Sequence, residues 1–290
     1  MDQSRRKAVL ITANYRGTDD TLEFLRSLRR LKRFEELDVI VVDDASGDDS
    51  VPHIRAEVGG LENVRVLASG TNRGYFGAAK WGLATYLDGS SSLPDWVIVC
   101  NNDMVFDDPE FLEKLFLRDP ASVGVIAPQI LSLLTHQDQN PFMETRPSRW
   151  QLAGILFWGS NYYIALFRDF IHRMLDRLRS LMNRIKGLTG VTTRRGVARS
   201  IYAPHGAFII FSGKYFGSGG YIDDGFFLSG EEISVAEICR SLGIQILYDP
   251  ELVVCHKVNR TVGRTLSRFA YNCAKDARRY FMRKYLADIR

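Results

Sequence analysis

The sequence lacks several features that define large classes of protein. No window of its 290 residues offers about 18 uninterrupted apolar residues, so no membrane-spanning helix is expected. The opening residues MDQSRRK are mostly polar and run straight into the first apolar run, so no secretory signal peptide is expected. The net charge of +4 is mild and does not demand a nucleic-acid partner. What is left is a globular chain whose 46% hydrophobic content allows a full core.

Cysteine is also scarce. None of the four cysteines stands in a C-x-x-C spacing, and no histidine cluster accompanies them. Neither a disulfide framework nor a Cys/His metal site is therefore expected, and buried free thiols in a reducing, cytoplasmic compartment are the interpretation. The four are Cys100, Cys239, Cys255 and Cys273.

The first half of the chain alternates short apolar runs with helical patterns. The stretch from Thr18 to Arg33 carries leucines at helical spacing, and Thr18 or Asp19 is a candidate N-cap. The alternation predicts a β-α-β-α-β-α-β order and a mostly parallel sheet. The predicted strands are Ala8–Ala13, Asp38–Val42, Val64–Ala68 and Trp96–Cys100.

Each of these strands is followed by a polar cluster. Because ligands bind outside the carboxyl ends of such strands, the clusters should line one cleft. Carboxylates opposite an arginine and a glycine loop suit a nucleotide and its metal ion, although Asp44 or Ser46 could instead start a turn. The clusters are Asn14, Asp43-Asp44, Asn72-Arg73-Gly74 and Asn101-Asn102-Asp103.

Two of the clusters suit phosphate chemistry. The glycines near Arg73 let the backbone approach a ligand, and the helix that follows would aim its N-terminus at a phosphate. Oxygen ligands in the turn that ends at Asp103 suit a hard divalent cation between two phosphates. Only one of its three residues is charged, so a diphosphate would have to supply the missing oxygens.

The second half carries fewer motifs. A strand is predicted at 205–211, and Glu231-Glu232 opens a helix that ends at Gly243. The adjacent acids are suited to proton abstraction but could equally be helix-dipole partners. Two further strands, Ile244–Tyr248 and Leu252–Cys255, precede His256, which is either a structural histidine or a ligand.

These residues, in this order, resemble the inverting nucleotide-sugar glycosyltransferases of family two, which have the GT-A fold. The nearest subgroup is similar to the rhamnosyltransferase-like enzymes of bacterial cell-surface polysaccharide assembly. The resemblance implies an α/β, Rossmann-like, mostly parallel central sheet flanked by helices. It rests on Asn14-Tyr15, Asp43-Asp44-Ala45-Ser46, Asn72-Arg73-Gly74, Asn101-Asn102-Asp103 and Glu231-Glu232 with Arg240 and Gly243.

The resemblance also assigns roles. It implies that Asp103 binds Mg²⁺ or Mn²⁺, with His256 at a place where some relatives use a histidine ligand. The second acid of the pair, Glu232, would be the general base, and Glu231 a binding or capping group. The implied donor-binding residues are Asn14, Asp43, Asp44, Arg73, Gly74, Asn101, Asn102, Gly206 and Ala207.

Two stretches are strongly basic. Asn161–Lys186 has apolar residues at helical spacing and six basic side chains, and Leu266–Tyr285 predicts a second basic helix. Such helices either contact a membrane surface or pack on their own domain with a solvated face. The resulting division is 1–130 for nucleotide-sugar binding, 131–200 for a basic helical insertion, 201–258 for the acceptor and catalytic half, and 259–290 for a C-terminal amphipathic helix.

The sequence therefore predicts a metal-dependent inverting glycosyltransferase with a nucleotide-diphosphate-sugar donor and a glycan or lipid-linked acceptor. The expected location is cytoplasmic, with peripheral contact to the inner face of a membrane through the basic helices, and no nucleic-acid partner is expected. A sugar nucleotidyltransferase is an alternative with the same fold. A nucleotide-sugar-binding protein that has lost activity is another, because the metal cluster is rich in asparagine.

Overall fold

A computed structural model of the chain describes residues 7–89, 92–171, 174, 196–257 and 267–287. In these residues one sheet of nine strands has the order β3-β2-β1-β4-β8-β6-β9-β5, and β7 pairs with β9. The strands are β1 Ala8–Asn14, β2 Leu37–Asp43, β3 Val64–Ala68, β4 Trp96–Asn101, β5 Met104–Val105, β6 Val125–Ser132, β7 Arg199–Ile201, β8 Phe208–Ser212 and β9 Ile246–His256.

The four predicted strands of the first half are confirmed to within one residue at each end. β1 lies between β2 and β4 and is parallel to both, and β2 is parallel to β3. The residues of β1, β2 and β4 are almost all buried on both faces, as expected for strands covered by helices on each side, whereas the edge strand β3 is partly exposed.

Helices cover the two faces of the sheet with two separate hydrophobic clusters. One cluster includes side chains of α3, α8 and α9, and the other includes side chains of α1, α2 and α4. The crossovers around β1 thus leave the sheet on opposite faces, which opens a crevice at its carboxyl end. The helices are α1 Thr18–Leu28, α2 Ser50–Glu57, α3 Tyr75–Asp88, α4 Phe111–Phe116, α5 Arg149–Trp158, α6 162–171, α7 Gly213–Gly217, α8 Glu231–Ser241 and α9 Arg268–Lys284.

The first helix is shorter than predicted. It ends at Leu28 rather than near Arg33, and its N-cap is Gly17, with no side-chain cap bond. The predicted cap by Thr18 or Asp19 is therefore wrong. The Thr18 hydroxyl lies 2.7 Å from the Ser50 hydroxyl at the start of α2, so it links the two helices instead.

The second half of the sheet is mixed. β8 inserts between β4 and β6 and is antiparallel to both, and β6 had no counterpart among the predicted strands. The two strands predicted after 243 form one strand, β9, in which the register against β6 jumps from Asp249 to Val253. Pro250 lies in this jump, and a proline lacks the N–H that an uninterrupted ladder needs.

Part of the predicted basic helix is visible. The helix α6 covers 162–171, whereas residues 172, 173 and 175–186 of that prediction lie outside the described residues. The predicted C-terminal helix is observed as α9. Within the part of the chain that the structure describes, no helix is long and apolar enough to cross a membrane.

Candidate active site

The polar clusters of the first half meet at the carboxyl edge of the sheet. In the strand register Asn14 stands opposite Asp43, and Ala13 stands opposite Asn101. Asn101 also donates its N–H to the carbonyl of Ala207 at 2.9 Å, which brings the entry to β8 to the same edge. Residues that are distant in sequence thus become neighbours because their strands are.

Asp43 belongs to a hydrogen-bonded cluster at the end of β2. Its carboxylate accepts from Asn14 Nδ2 at 2.7 Å, from Ser46 Oγ at 2.5 Å and from the Ser46 N–H at 3.2 Å. Asn14 Oδ1 in turn accepts from the Thr21 hydroxyl at 2.9 Å. All of these side chains are buried, so they fix the shape of the turn that follows the strand.

Asp44 joins the same strand end to the glycine loop. Its carboxylate accepts from the Arg73 N–H at 2.8 Å and from the Gly74 N–H at 2.9 Å. Burial raises the pKa of Asp44, and these two N–H groups act against that rise by stabilising the charged form. Asp44 therefore holds the loop in one position at the crevice.

The loop itself presents Arg73 to solvent and packs Gly74 inward. The Arg73 guanidinium lies 5.0 Å from the centre of the Trp81 ring, and its Nε donates to Ser69 Oγ at 3.2 Å. Gly74 has φ 73°, and a Cβ there would lie 2.1 Å from the carbonyl oxygen of Phe227. Only glycine fits at this contact, which ties the loop to the segment before α8.

The metal-ligand candidates Asp103 and His256 are brought together by two antiparallel strands. Met104 of β5 pairs with His256 of β9, and the Lys257 N–H donates to the Asp103 carbonyl at 3.0 Å. As a result Asp103 Oδ1 lies 3.2 Å from His256 Nε2. The preceding Asn102 donates to the Gly17 carbonyl and the Thr21 hydroxyl, which anchors this turn to α1.

This pair fits a divalent cation. A carboxylate and an imidazole are both ordinary ligands of such a cation, and the 3.2 Å separation between Asp103 Oδ1 and His256 Nε2 lets them share one. Gln139 Oε1 lies 2.6 Å from His256 Nδ1 and orients the ring. Among the described residues no group of three or more His, Cys, Asp and Glu side chains forms a metal cage, so further ligands would come from a diphosphate.

The two glutamates stand at the start of α8. Gly230, the N-cap, has φ 116°, and a Cβ there would lie 2.0 Å from the Phe281 ring of α9. Glu232 Oε1 accepts the Gly206 N–H at 3.2 Å, so the residues that precede β8 contact this pair directly. Glu231 is buried, whereas Glu232 keeps part of its surface open.

Both glutamates hold their protons more tightly than a free side chain does. Burial, followed by the neighbouring Glu232, raises the pKa of Glu231 to about 8. Burial also raises the pKa of Glu232, against backbone N–H groups that include that of Gly206. Two carboxyls this close favour a state with one shared charge, because ionising both places like charges side by side.

Three side chains near these groups were not predicted from the sequence as site residues. The Tyr75 hydroxyl donates to the Gly206 carbonyl at 3.0 Å, and its pKa is raised by burial and by charges that include Glu231, Glu232 and Asp103. The glutamate pair and Asp103 thus lie near enough to act on the pKa of the same phenol. His205 and Gln139 contact or approach His256, and they carry no motif signal.

His205 is held as a neutral ring. Its pKa is lowered to about 4 by burial and by His256. Its Nδ1 accepts the Ala207 N–H at 3.2 Å, and its own backbone N–H donates to Asn140 Oδ1 at 2.7 Å. These bonds fix the chain at Gly206 and Ala207, between the glutamate pair and Asn101.

Comparison with solved structures gives fold-level similarity. A mannosyltransferase from Pyrobaculum calidifontis, solved with GDP-Man and Mn²⁺, superimposes with a TM-score of 0.52 at 14% identity over 90% of this chain and 59% of the other. GalNAc-T7, solved with UDP, GalNAc and Mn²⁺, gives 0.57 at 13% identity over 99% of this chain and 58% of the other. The chain thus spans less than two thirds of either protein. No curated protein matches the sequence.

A family model supplies the sequence evidence. The model for glycosyl transferase family 2 matches residues 9–179, which is more than half of the chain. That range contains β1 to β6 and with them every polar cluster from Asn14 to Asp103, whereas the glutamate pair and His256 lie beyond it. With a GT-A sheet beneath these clusters, the chain belongs to glycosyl transferase family 2.

Proposed function

We propose that this protein is a metal-dependent, inverting glycosyltransferase. It would transfer a hexosyl or deoxyhexosyl group from a nucleotide-diphosphate-sugar to a hydroxyl of a glycan or lipid-linked acceptor. Rhamnosyl transfer in bacterial cell-surface polysaccharide assembly is the specific form that the sequence resemblance suggests. The observation that carries the proposal is the convergence of an Asp103–His256 pair and a glutamate pair around Tyr75 and Gly206.

The nucleotide would lie at the ends of β1 and β2. Asn14, Asp43 and Asp44 form a rigid wall there, because their polar atoms already bond to one another and to the loop. Arg73 stands exposed on that loop and is free to approach a phosphate or the base. The neighbours were solved with GDP-Man and with UDP, which supports a nucleotide-sugar donor without selecting the base.

The cation would be Mg²⁺ or Mn²⁺, held by Asp103 and His256. When bound, such an ion neutralises the negative charge that develops on a leaving diphosphate. Gln139 would keep His256 in the tautomer that presents Nε2 to the site. Asn101 and Asn102 shape the turn, and Asn102 anchors it to α1.

Glu232 would be the general base. In an inverting displacement the acceptor oxygen forms a bond to C1 as the bond from C1 to the diphosphate oxygen breaks, and the hydroxyl proton passes to the base. Glu232 keeps open surface and a raised pKa, both of which suit that task. Glu231 is more deeply buried, and with its pKa near 8 it carries the shared proton at neutral pH. Gly206 and Ala207 would lie beneath the donor sugar.

A two-stage experiment tests this function. A thermal-shift screen of the whole chain with UDP-, GDP-, dTDP- and CDP-sugars and Mn²⁺ identifies the donor, and a turnover assay with that donor follows, with and without EDTA. Asp103→Asn serves as the matched variant, because it keeps the side-chain size and removes the charge. Donor-dependent stabilisation and turnover that both require metal are the expected result.

Three outcomes would contradict the proposal. Donor binding without hydrolysis or transfer in any metal would mean a binding protein. Consumption of a nucleoside triphosphate with a sugar phosphate, releasing pyrophosphate, would mean a nucleotidyltransferase. Retention of the anomeric configuration in the product, read by nuclear magnetic resonance, would exclude the inverting route and with it the base assignment.

A further inference from the structure

The helical hairpin of α5 and α6 exposes an unusual number of large apolar side chains. On α6, Tyr163, Phe167 and Phe170 follow a spacing of four and three, and Met174, four residues further along the chain, continues this helical spacing; 46–66% of each of the four is exposed. On α5, Trp150 is 87% exposed and Phe157 is 60% exposed. These six residues are called the aromatic face below.

Packing among the residues that the structure describes does not account for this face. Among the described residues of the two helices, Leu152 and Ala165 are the fully buried apolar side chains, so the hairpin adds little to the core. Scattered apolar residues are normal on a protein surface, but a contiguous aromatic stripe marks an interaction site. The face therefore calls for a partner with an apolar layer.

The charge around the face identifies the partner. On α6 Arg168 is matched by Asp169, whereas α5 carries Arg149 and no acid, and Arg268 at the start of α9 donates to the Tyr163 hydroxyl at 3.2 Å. The sequence that continues from α6, residues 172–195, is strongly basic, and this positive charge would repel a second copy of the chain. It carries Arg173, Arg177, Arg179, Arg184, Lys186, Arg194 and Arg195 against Asp176 alone.

The face is continuous with the rim of the candidate active site. Beside Tyr163, the ring of Tyr162 contacts Tyr271 of α9, with centroids 5.5 Å apart. At the start of α9, Phe269 is exposed and contacts the ring of Phe227 at 6.1 Å. Phe227 is the residue whose carbonyl packs against Gly74 of the donor loop. A partner on the aromatic face would thus lie beside the cleft.

We infer that the aromatic face docks onto an anionic lipid bilayer. Aromatic side chains favour the level of the lipid headgroups, where rings enter the apolar layer and polar atoms stay wet. Arginines beside them bind lipid phosphates. The insertion of apolar side chains and the attraction between charges are each weak alone, and together they give stable peripheral attachment. A lipid-linked acceptor would then reach the cleft from the bilayer, a consequence that rests on the proposed function, whereas the docking itself does not.

Vesicle co-sedimentation of the whole chain tests the docking without donor or acceptor. The chain should sediment with vesicles of phosphatidylcholine and phosphatidylglycerol, and at least about tenfold less with phosphatidylcholine alone. The double variant Phe167→Glu/Phe170→Glu should lose about tenfold or more in vesicle affinity, and Arg268→Gln, which removes the exposed charge beside Tyr163, about fivefold. Leu117→Glu is the matched control, since Leu117 is 75% exposed at the end of α4.

Fluorescence supplies a second readout. Trp150 is the most exposed side chain of the face, so its emission should shift to the blue on anionic vesicles, and Trp150→Phe should remove most of that shift. Circular dichroism and melting curves would show that each variant folds.

Equal sedimentation of the wild type and the Phe167→Glu/Phe170→Glu variant would overturn the inference. So would equal binding to uncharged vesicles. A dimer in solution that this variant dissociates, without vesicle binding by either form, would assign the face to a second copy instead.

Discussion

The acidic side chains at the end of β2 hold a turn and a loop through several hydrogen bonds, whereas the acids at the start of α8 bind mainly nearby backbone N–H groups and repel each other's charge. Asp43 accepts three hydrogen bonds from Asn14 and Ser46, and Asp44 accepts the N–H groups of the glycine loop. Glu231 and Glu232 meet mostly backbone N–H groups and each other, and burial raises the pKa of both.

The difference separates two ways of using a buried carboxylate. At the donor end, the carboxylates of Asp43 and Asp44 hold a turn and a loop in place, so the site has its shape before a ligand binds. At the glutamate end the proton is held with raised affinity, which is what a general base near neutral pH requires. Variants at both ends of the cleft test this contrast.

Asp103→Ala should abolish transfer while leaving the fold intact. The residue lies in a partly exposed turn, and the loss of a cation that stabilises the leaving group is worth several kcal/mol, or about 10⁴ in rate. Turnover in a metal-saturated assay measures the effect, and EDTA should stop the wild-type reaction. Unaltered turnover of the variant would remove the Asp103–His256 pair from the site.

Glu232→Gln should lower turnover by about 10²–10⁴, because the amide keeps the size of the side chain but cannot accept a proton. Donor affinity should stay nearly unchanged, and Glu231→Gln should lose less. Wild-type turnover should rise with pH through the raised pKa of Glu232, since the base must be ionised. Both variants are assayed beside donor affinity; a dead Glu231→Gln beside an active Glu232→Gln would reverse the assignment.

Gly206→Ala should lower kcat by about 10². The added Cβ would lie 2.8 Å from Glu232 Oε1 and would push the carboxylate out of position. Gly70→Ala is the matched control, because a Cβ there meets nothing within 4 Å. If the two variants have equal kcat, the contact between Gly206 and Glu232 does not position the base.

Asp44→Asn should weaken donor binding about tenfold and destabilise the fold by about 1–3 kcal/mol. Its amide offers one neutral oxygen in place of two charged ones to the Arg73 and Gly74 N–H groups, so the hydrogen bonds that hold the loop weaken. Calorimetry and thermal melting measure the two effects. Asp49→Asn, at a helix start where no side-chain cap bond forms, should change neither.

The smallest effect is a pH dependence of stability. Between its ordinary value of 4.5 and about 8, Glu231 is protonated in the folded chain and ionised in the unfolded one. The unfolded state then binds fewer protons, so the free energy of unfolding falls as pH rises, by up to about 1.4 kcal/mol per unit. His205, with its pKa lowered to about 4, acts with the opposite sign below 6.5.

Urea melts between pH 6.5 and 8 therefore isolate the glutamate. The wild type should lose stability relative to Glu231→Gln across this range. Parallel curves for the two proteins would mean that the pair is not held protonated.

Local sequence pattern determined the first half of this protein. The strands β1 to β4 and the polar residues at their ends could be predicted because a buried parallel strand is a short apolar run, and the chain must turn where it ends. The same reasoning recovers α8 and α9 from their helical spacing.

Tertiary structure decided the rest. No local signal says that β8 inserts antiparallel between β4 and β6, because strand pairing is a contact between distant segments. The approach of His256 to Asp103 follows from the β5–β9 register, and the contact of Glu232 with Gly206 follows from where α8 packs. Tyr75, Gln139 and His205 join the site only in space, since a hydrogen bond or a shifted pKa depends on what surrounds a side chain and not on its neighbours in sequence.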